Sequence, residues 1–128
     1  MMGAGEAVQR AVVAALTDGG GAVFDGAPGR APFPYLTVGE VGSTDWSHQG
    51  ADGREVRIAL TAWDEAGAAA RLHGAMAAAE AAVTGIAGSI DGGWQVASVA
   101  LIRTRMVRDP ARPWAGMVDV RFRVARLD

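Results

Sequence analysis

Residues 54–83, REVRIALTAWDEAGAAARLHGAMAAAEAAV, carry two apolar periods in succession. Up to Trp63, apolar residues alternate with other residues at a period of two, which is typical of a β-strand with one face on a core. The apolar residues on that face are Val56, Ile58, Leu60 and Ala62. From residue 69 the apolar spacing changes to three and four, which predicts one face of a helix carried by Ala69, Leu72, Met76, Ala79 and Val83. The stretch therefore predicts a strand followed by a helix, and the other segments are expected to supply its packing partners.

Asp64 and Glu65 lie at the junction between the predicted strand and the predicted helix. Asp is a favourable N-cap residue, and both carboxylates suit the positive end of the helix dipole. Two neighbouring acids are also groups that general acid–base catalysis uses. Helix capping explains the pair without further residues, so we predict that Asp64 is the N-cap.

The remaining segments predict one more helix and three more strands. We expect the helix at residues 6–17, the strands at 35–41, 94–107 and 117–127, and frayed backbone at 1–5. The order helix, strand, strand, helix, strand, strand predicts an α+β protein. The specific expectation is a mainly antiparallel sheet with two helices packed on one face and long hairpin loops. At 128 residues, the chain is predicted to form a single domain, residues 1–128.

For two groups of apolar residues the sequence is compatible with more than one local structure. Val23 and Phe24 are expected to form either a short strand or an anchoring contact. Val99, Leu101 and Ile102 make both faces of the strand at 94–107 apolar, which is typical of a central strand or of a strand with a bulge.

The composition and two short segments of the sequence argue against several kinds of site. The chain has no Cys, which rules out disulfides and thiolate metal ligands. The Gly-Gly-Gly run at residues 19–21 follows a predicted helix and has no Gly-Lys-Ser/Thr after it, so a phosphate-binding loop is not expected. The apolar run at residues 11–16 is too short for a signal peptide core or a membrane span. We therefore expect a soluble protein that is made in the cytoplasm and has no membrane partner.

Charge is distributed unevenly along the chain. Residues 103–126 carry seven Arg against two Asp, a local charge of +5, whereas residues 1–102 carry five Arg against eleven acids, a local charge of −6. A chain polarised in this way can dock to copies of itself or to an oppositely charged partner, and solvated strand faces are the competing interpretation. Nucleic-acid binding is disfavoured because aromatic residues do not alternate with these Arg and the whole chain is acidic. Cross-strand pairing with acids such as Asp119 also competes for the Arg side chains.

The most polar stretch, residues 42–53, joins two predicted strands and predicts a long hairpin loop. It holds Ser43, Asp45, Ser47 and His48, which are the residue types of a hydrolase triad. A working triad needs a base oriented by a buried acid and an oxyanion hole, which one short polar loop does not supply. Trp46, the large aromatic residue of this loop, is either tucked beneath it or presented to a partner. We predict no enzyme activity and no catalytic, cofactor-binding or metal-binding residues.

Several motifs, taken in order, resemble the tail-completion, or tail terminator, proteins of long-tailed bacteriophages and phage-derived gene transfer agents. The motifs are the Ala-rich first helix, Ala-Pro-Phe-Pro-Tyr-Leu at 31–36, Asp-Trp-Ser at 45–47, Val-x-Ile-x-Leu-x-x-Trp at 56–63, the Ala-rich helix after it, Arg-Asp-Pro…Trp at 108–114 and the closing strand at 117–125. The resemblance covers residues 6–126, and the family has no catalytic motif to carry over.

The resemblance implies a structural protein at the neck of a virion or gene transfer agent particle. Such a protein forms a homo-oligomeric ring, typically a hexamer, that caps the head-proximal end of the tail tube and joins it to the head-neck connector. The implied partners are other copies of the chain, the tail tube protein and the connector, while DNA passes through the lumen without sequence-specific binding. The alternative is a small cytosolic α+β binding or adaptor module unrelated to virions.

We expect the subunit interface to use the Trp46 loop, the Arg-rich last strands and the loop between them, because Arg and Trp are enriched at interface hot spots. The candidate interface residues are Trp46, Ser47, His48, Arg103, Arg105, Arg112, Trp114, Arg121 and Arg123.

Overall fold

The computed structural model describes residues 2–127, which form two α-helices, six β-strands and one short 3-10 turn. In chain order these are α1 (Ala4–Asp18), β1 (Val23–Asp25), β2 (Tyr35–Asp45), β3 (Ala51–Asp64), α2 (Ala69–Thr84), β4 (Gly88–Ser89), the 3-10 turn (Asp91–Gly93), β5 (Gln95–Val107) and β6 (Trp114–Leu127). The predicted α+β class is confirmed. Ala4 and Gly5, which were expected to be frayed, form the first turn of α1, while Met1 and Asp128 lie outside the described residues.

All six strands join one curled sheet in the order β1-β2-β3-β6-β5-β4. β1 pairs parallel with β2, whereas the other neighbouring strands pair antiparallel. The sheet is therefore mixed, which corrects the predicted mainly antiparallel sheet with two helices packed on one face. The cause lies in residues 26–34, a connector long enough for the chain to turn back before β2 begins, whereas a tight turn would have paired β1 and β2 antiparallel.

The core forms where the helices meet the alternating apolar residues of β3 and β6. Val56, Ile58, Leu60 and Ala62 are at most 2% exposed, as the period of two predicted. Their counterparts in β6 and the helices are Val118, Val120, Phe122, Val124, Val8, Val12, Leu16, Leu72, Met76 and Val83. Burial of each such Val, Leu or Phe side chain stabilises the fold by about 1.5–3 kcal/mol.

Gly116 of β6 lets α2 lie close to the sheet. A β-carbon at this position would meet the side chain of Met76 and would lie 3.3 Å from Cδ1 of Leu72. Because glycine lacks that atom, Leu72 and Met76 fill the space above the strand and join the core. The helical face predicted from residues 72–83 is therefore the face that packs.

Asp64 is the last residue of β3 and is fully buried, so the predicted role as N-cap of α2 is wrong. The helix begins only at Ala69, after Gly67 adopts a φ of +91°. Arg71, in the first turn of α2, donates from Nε to Asp64 Oδ2 at 2.6 Å, and the backbone N–H of Glu65 donates to Oδ1 at 2.8 Å. The bond from Arg71 is the main cause that holds the pKa of Asp64 below its usual range, although burial opposes it. The carboxylate therefore ties the end of β3 to the start of α2.

Replacing Asp64 by Asn should lower the free energy of unfolding by about 2 kcal/mol near neutral pH, because the variant loses a buried, charge-assisted pair. The pKa of Asp64 is lower in the folded protein than its ordinary value of 3.8. Its contribution is therefore complete above that value and is lost as the pH falls through the lower folded pKa. Urea unfolding at a series of pH values should show the wild-type and variant stabilities converging in acid.

Glu65→Gln is the matched control, since the Glu65 side chain also contacts Arg71 at 3.2 Å but is 67% exposed. It should cost less than about 0.5 kcal/mol. An Asp64→Asn variant as stable as the wild type near neutral pH would contradict the role of Asp64 in joining β3 to α2.

Candidate assembly surface

The hairpin between β2 and β3 carries three of the predicted interface residues. Pairing continues as far as Asp45 opposite Arg54. Only residues 46–50 lie between the two strands, so the predicted long loop at 42–53 is largely strand. The polar residues extend an ordinary antiparallel ladder, because Ser and Thr are accepted on an exposed strand end as readily as in a loop.

Trp46 is half-buried at the tip of this hairpin. Its ring centroid lies 4.7 Å from that of His48 in an edge-to-face arrangement. On β6, the guanidinium carbon of Arg123 lies 5.6 Å from the Trp46 ring centroid, within the range of a cation–π contact. The ring thus packs against β6 and keeps part of its surface exposed. Trp46, Ser47, His48 and Arg123 are the predicted residues that the structure brings together.

The Ser, Asp and His residues of this hairpin shape the turn. Ser47 Oγ donates to Asp45 Oδ1 at 2.7 Å, and the backbone N–H of Gly53 donates to Ser47 Oγ at 3.2 Å. His48 Nδ1 lies 3.0 Å from the Trp46 carbonyl oxygen and so contacts backbone instead of an acid. The hydrogen bond from Ser47 is the main cause that holds the pKa of Asp45 below its usual range. These contacts differ from the arrangement of a hydrolase triad.

Glu55 of β3 lies among three Arg side chains, and the sequence did not single it out. Its carboxylate oxygens lie 3.3 Å from Nε of Arg123, 3.7 Å from Nε of Arg57 and 3.9 Å from Nε of Arg121. Within residues 2–127, Nε of Arg121 makes no hydrogen bond. Three guanidinium groups around one carboxylate leave this patch positively charged. Glu55 and Arg123 lie opposite each other on neighbouring strands, and this adjacency would have identified the cluster. It can be recognised only when the register of the two strands is known.

Arg103 and Arg105 project from β5 on the same side of the sheet but differ in their contacts. Arg103 Nε donates to Asp119 Oδ2 at 2.9 Å, which confirms the cross-strand pairing considered from the sequence. Arg105 is exposed and donates from Nη2 to the Met117 sulfur at 3.3 Å. Arg103 and Glu40 line opposite margins of an open groove of about 490 Å³ between β5 and β2.

Arg112 and Trp114 belong to a separate group at the other end of the sheet. Trp114 Nε1 donates to the Asp109 carbonyl at 3.1 Å, and the Arg108 guanidinium lies 5.3 Å from its ring centroid. Trp114 is half-buried and packs on the core, while the Arg112 side chain is 81% exposed. The pairing of Trp114 with Asp64 places it about 30 Å from the Trp46 hairpin, at 3.3 Å per residue along β3. The structure therefore does not join the nine predicted residues into one surface.

The sequence did not predict that apolar residues would be exposed at the margins of the sheet. Val41 of β2 is 36% exposed, and Leu101 and Ile102 of β5 are 39% and 40% exposed. The structure shows the bulge predicted for β5, at the register shift between Leu101 and Arg103. It does not show a central strand, since β4 pairs only with the first residues of β5.

Within residues 2–127, no three His, Asp or Glu side chains lie close enough together to hold a metal ion. Neither helix of this part of the chain combines the length and hydropathy of a membrane span.

Comparison with known proteins gives a family and a related fold. A family model described as tail completion protein gp17 matches residues 6–125. A chain in a solved structure described as "Virion of native gene transfer agent (GTA) particle" is similar, with 24% sequence identity and a TM-score of 0.72, over 95% of this chain and 94% of that one. At this identity the likeness concerns the fold. No functionally curated protein matches the chain.

Replacing Gly53 by Ala should lower the free energy of unfolding by about 1–3 kcal/mol, the usual cost of inserting a group into filled space. The new β-carbon would meet the backbone carbonyl oxygen of Trp46 and would lie 2.8 Å from its carbonyl carbon. A rotamer change cannot relieve a clash with backbone, so the backbone of the hairpin tip must move. Urea unfolding measures the stability change, and the NMR signal of the Trp46 indole reports the displacement.

The matched control is Gly42→Ala, since a β-carbon on this strand glycine would have nothing within 4 Å. It should change stability by less than about 0.5 kcal/mol. Equal effects at the two glycines would contradict the close contact between Gly53 and Trp46.

Proposed function

The chain belongs to the tail completion protein gp17 family and is therefore a structural protein of the virion tail; on that premise we propose that it acts as a tail terminator. Copies of the chain close into a ring, a hexamer in our proposal, that caps the head-proximal end of the tail tube. The ring stops tube growth and presents a surface to the head-neck connector. Because the chain belongs to this family, the alternative of a small adaptor module unrelated to virions is rejected.

The ring proposal rests on the separation of charge between the two outer edges of the sheet, those of β5 and β2. At the β5 edge Arg105 is exposed and Arg103 contacts Asp119, whereas the β2 edge carries Glu40 and Asp45. Opposite charge on two different surfaces favours a heterologous, head-to-tail contact, and such a contact closes into a ring when its rotation divides a full turn. A twofold contact through either edge alone would place like charges together instead.

The ring has two faces along its axis and one lumen. We propose that the tail tube protein binds one face and the connector binds the other, and that DNA passes through the lumen without sequence readout. Several Arg side chains are held by acids, as Arg103 is by Asp119 at 2.9 Å and Arg123 is by Glu55 at 3.3 Å. Guanidinium groups that already contact carboxylates are less available to grip phosphates, which suits a channel through which DNA must move.

Electron microscopy of particles assembled without this chain tests the proposal. Overlong tails or tails without heads are the expected result, because nothing would stop tube growth or offer the connector its surface. Particles of normal tail length with heads attached would overturn the terminator role. Restoring the chain from a plasmid is the control that assigns the defect to this protein.

Charge reversal at Arg105 should weaken assembly by at least about tenfold, or roughly 1.4 kcal/mol per contact, without unfolding the monomer. The side chain is exposed, and its contact with the Met117 sulfur is no ion pair, so its loss leaves no buried acid unpaired. The free energy of unfolding should change by less than about 0.5 kcal/mol. Analytical ultracentrifugation measures assembly, and urea unfolding measures stability.

The matched control is Arg30→Glu, the same change at an exposed residue of the connector before β2. It should assemble as the wild type does. An Arg105→Glu protein that assembles normally would contradict the role of this Arg in the contact, and one that unfolds would show that Arg105 stabilises the monomer.

A further inference from the structure

The outer edge of β5 is open along most of its length. β4 pairs only with Gln95 and Val96, and no other described strand pairs with this edge. The backbone of residues 98–107 therefore has one side without a neighbouring strand in the described chain, and that side is long and flanked by exposed apolar side chains. Natural proteins shorten, charge or cover such edges because they pair readily with another chain. The backbone groups of this edge are therefore available for pairing with another chain.

The opposite margin of the same sheet is open as well. β1 pairs with β2 only at Leu36, Thr37 and Val38. Residues 41–45 of β2 pair with β3 on one side, residues 39 and 40 form a bulge, and none of residues 39–45 pairs with a described strand on the other side. The sheet therefore ends in two open edges, one on each side.

One row of side chains crosses the sheet from edge to edge. Val41 pairs with Ile58, Ile58 with Val120, and Val120 with Leu101. The two middle residues are 2% and 0% exposed, whereas Val41 and Leu101 at the ends are 36% and 39% exposed. The apolar row is therefore buried in the middle of the sheet and exposed at both ends.

The strand directions are suited to continuation of the sheet in a second copy. β2, β3, β6 and β5 alternate in direction, so β5 runs antiparallel to β2. A copy placed beside the first in the same orientation brings its β2 next to β5 with antiparallel polarity. If it is not shifted along the strands, Leu101 comes to lie opposite Val41 and Val99 opposite Ser43, so the apolar row continues across the boundary.

Charge selects this pairing over the pairing of two identical edges. Residues 39–45 contain Glu40 and Asp45 and no basic residue, while residues 98–107 contain Arg103 and Arg105 and no acid. Two β5 edges would juxtapose Arg with Arg, and two β2 edges would juxtapose acid with acid, and like charges on facing strands are destabilising. Joining one edge of each kind avoids both of these like-charge contacts.

We propose that the open edge of β5 in one copy pairs antiparallel with the open edge of β2 in the next copy, with Leu101 opposite Val41. The occupant of each edge is a second copy of this chain, and the sheets of neighbouring subunits become continuous. This inference rests on the proposed ring and deepens it, since it names the two surfaces that meet. The recognition mode is strand addition, in which backbone hydrogen bonds supply affinity and side chains set the register.

Disulfide cross-linking tests the pairing cleanly because the chain has no Cys of its own. One preparation carries Val41→Cys, a second carries Leu101→Cys, and the two are mixed, allowed to assemble and oxidised. Both substitutions are at exposed positions, and circular dichroism and urea unfolding confirm that each variant is folded. Loss of monomer to a disulfide-linked dimer is expected in the mixture, and no dimer is expected from either variant alone.

A control pair tests the register. Ser43→Cys mixed with Leu101→Cys places the thiols diagonally, about 7–8 Å apart instead of about 5 Å, which is beyond the reach of a disulfide. A dimer from this pair and none from the first would overturn the proposed register. A dimer from either single variant alone would show a twofold contact and would overturn the proposal.

Two further outcomes separate this inference from the proposed function. Rings that form, as seen by electron microscopy, but do not cross-link in the mixture would overturn the strand pairing and leave the ring intact. Wild-type protein that stays monomeric at high concentration and on tail tubes would overturn both.

Discussion

The pairing of β3 with β6 is the contact on which the rest of the structure depends. It runs without a register shift from Ala51 opposite Leu127 to Asp64 opposite Trp114. Because side chains alternate along a strand, this one register sends the apolar residues of both strands into the core and sends Glu55, Arg57, Asp119, Arg121 and Arg123 to the other side. A slip of one residue would exchange the two sets. The same pairing also carries β2 on one side and β5 on the other, so it decides which edges of the sheet stay open.

The buried face of a strand or a helix was predictable from the sequence, because apolar residues recur there at the period of that element. The alternation at 56–62 and 118–124 and the helical spacing at 72–83 correspond to buried residues in the structure. Asp64 was not predictable in the same way. An Asp between a strand and a helix suits both an N-cap and a buried acid, and Arg71 on the next helix decides between them. The parallel pairing of β1 likewise depends on the path of a connector that has no period.

The candidate site was predicted only in part, because its arrangement depends on contacts between distant residues. Trp46 and Arg123 were both named, but their contact exists only because β6 lies beside the hairpin tip. Trp114 was named with them and lies at the other end of the sheet. The apolar pair Leu101 and Ile102 favoured a central strand or a bulge, and the strand is a bulged one with an open edge because β4 is only two residues long. Acids also neutralise part of the basic C-terminal segment, since Asp119 contacts Arg103 and Glu55 contacts Arg121 and Arg123.

An electron cryomicroscopy reconstruction of the assembled protein would show whether a sheet with two unlike open edges closes into a ring. We expect a closed ring of six copies, each of 13.1 kDa, in which β5 of each subunit adjoins β2 of the next and the sheets are continuous. A ring whose subunits meet through α1 and α2, with both sheet edges exposed to solvent, would contradict it.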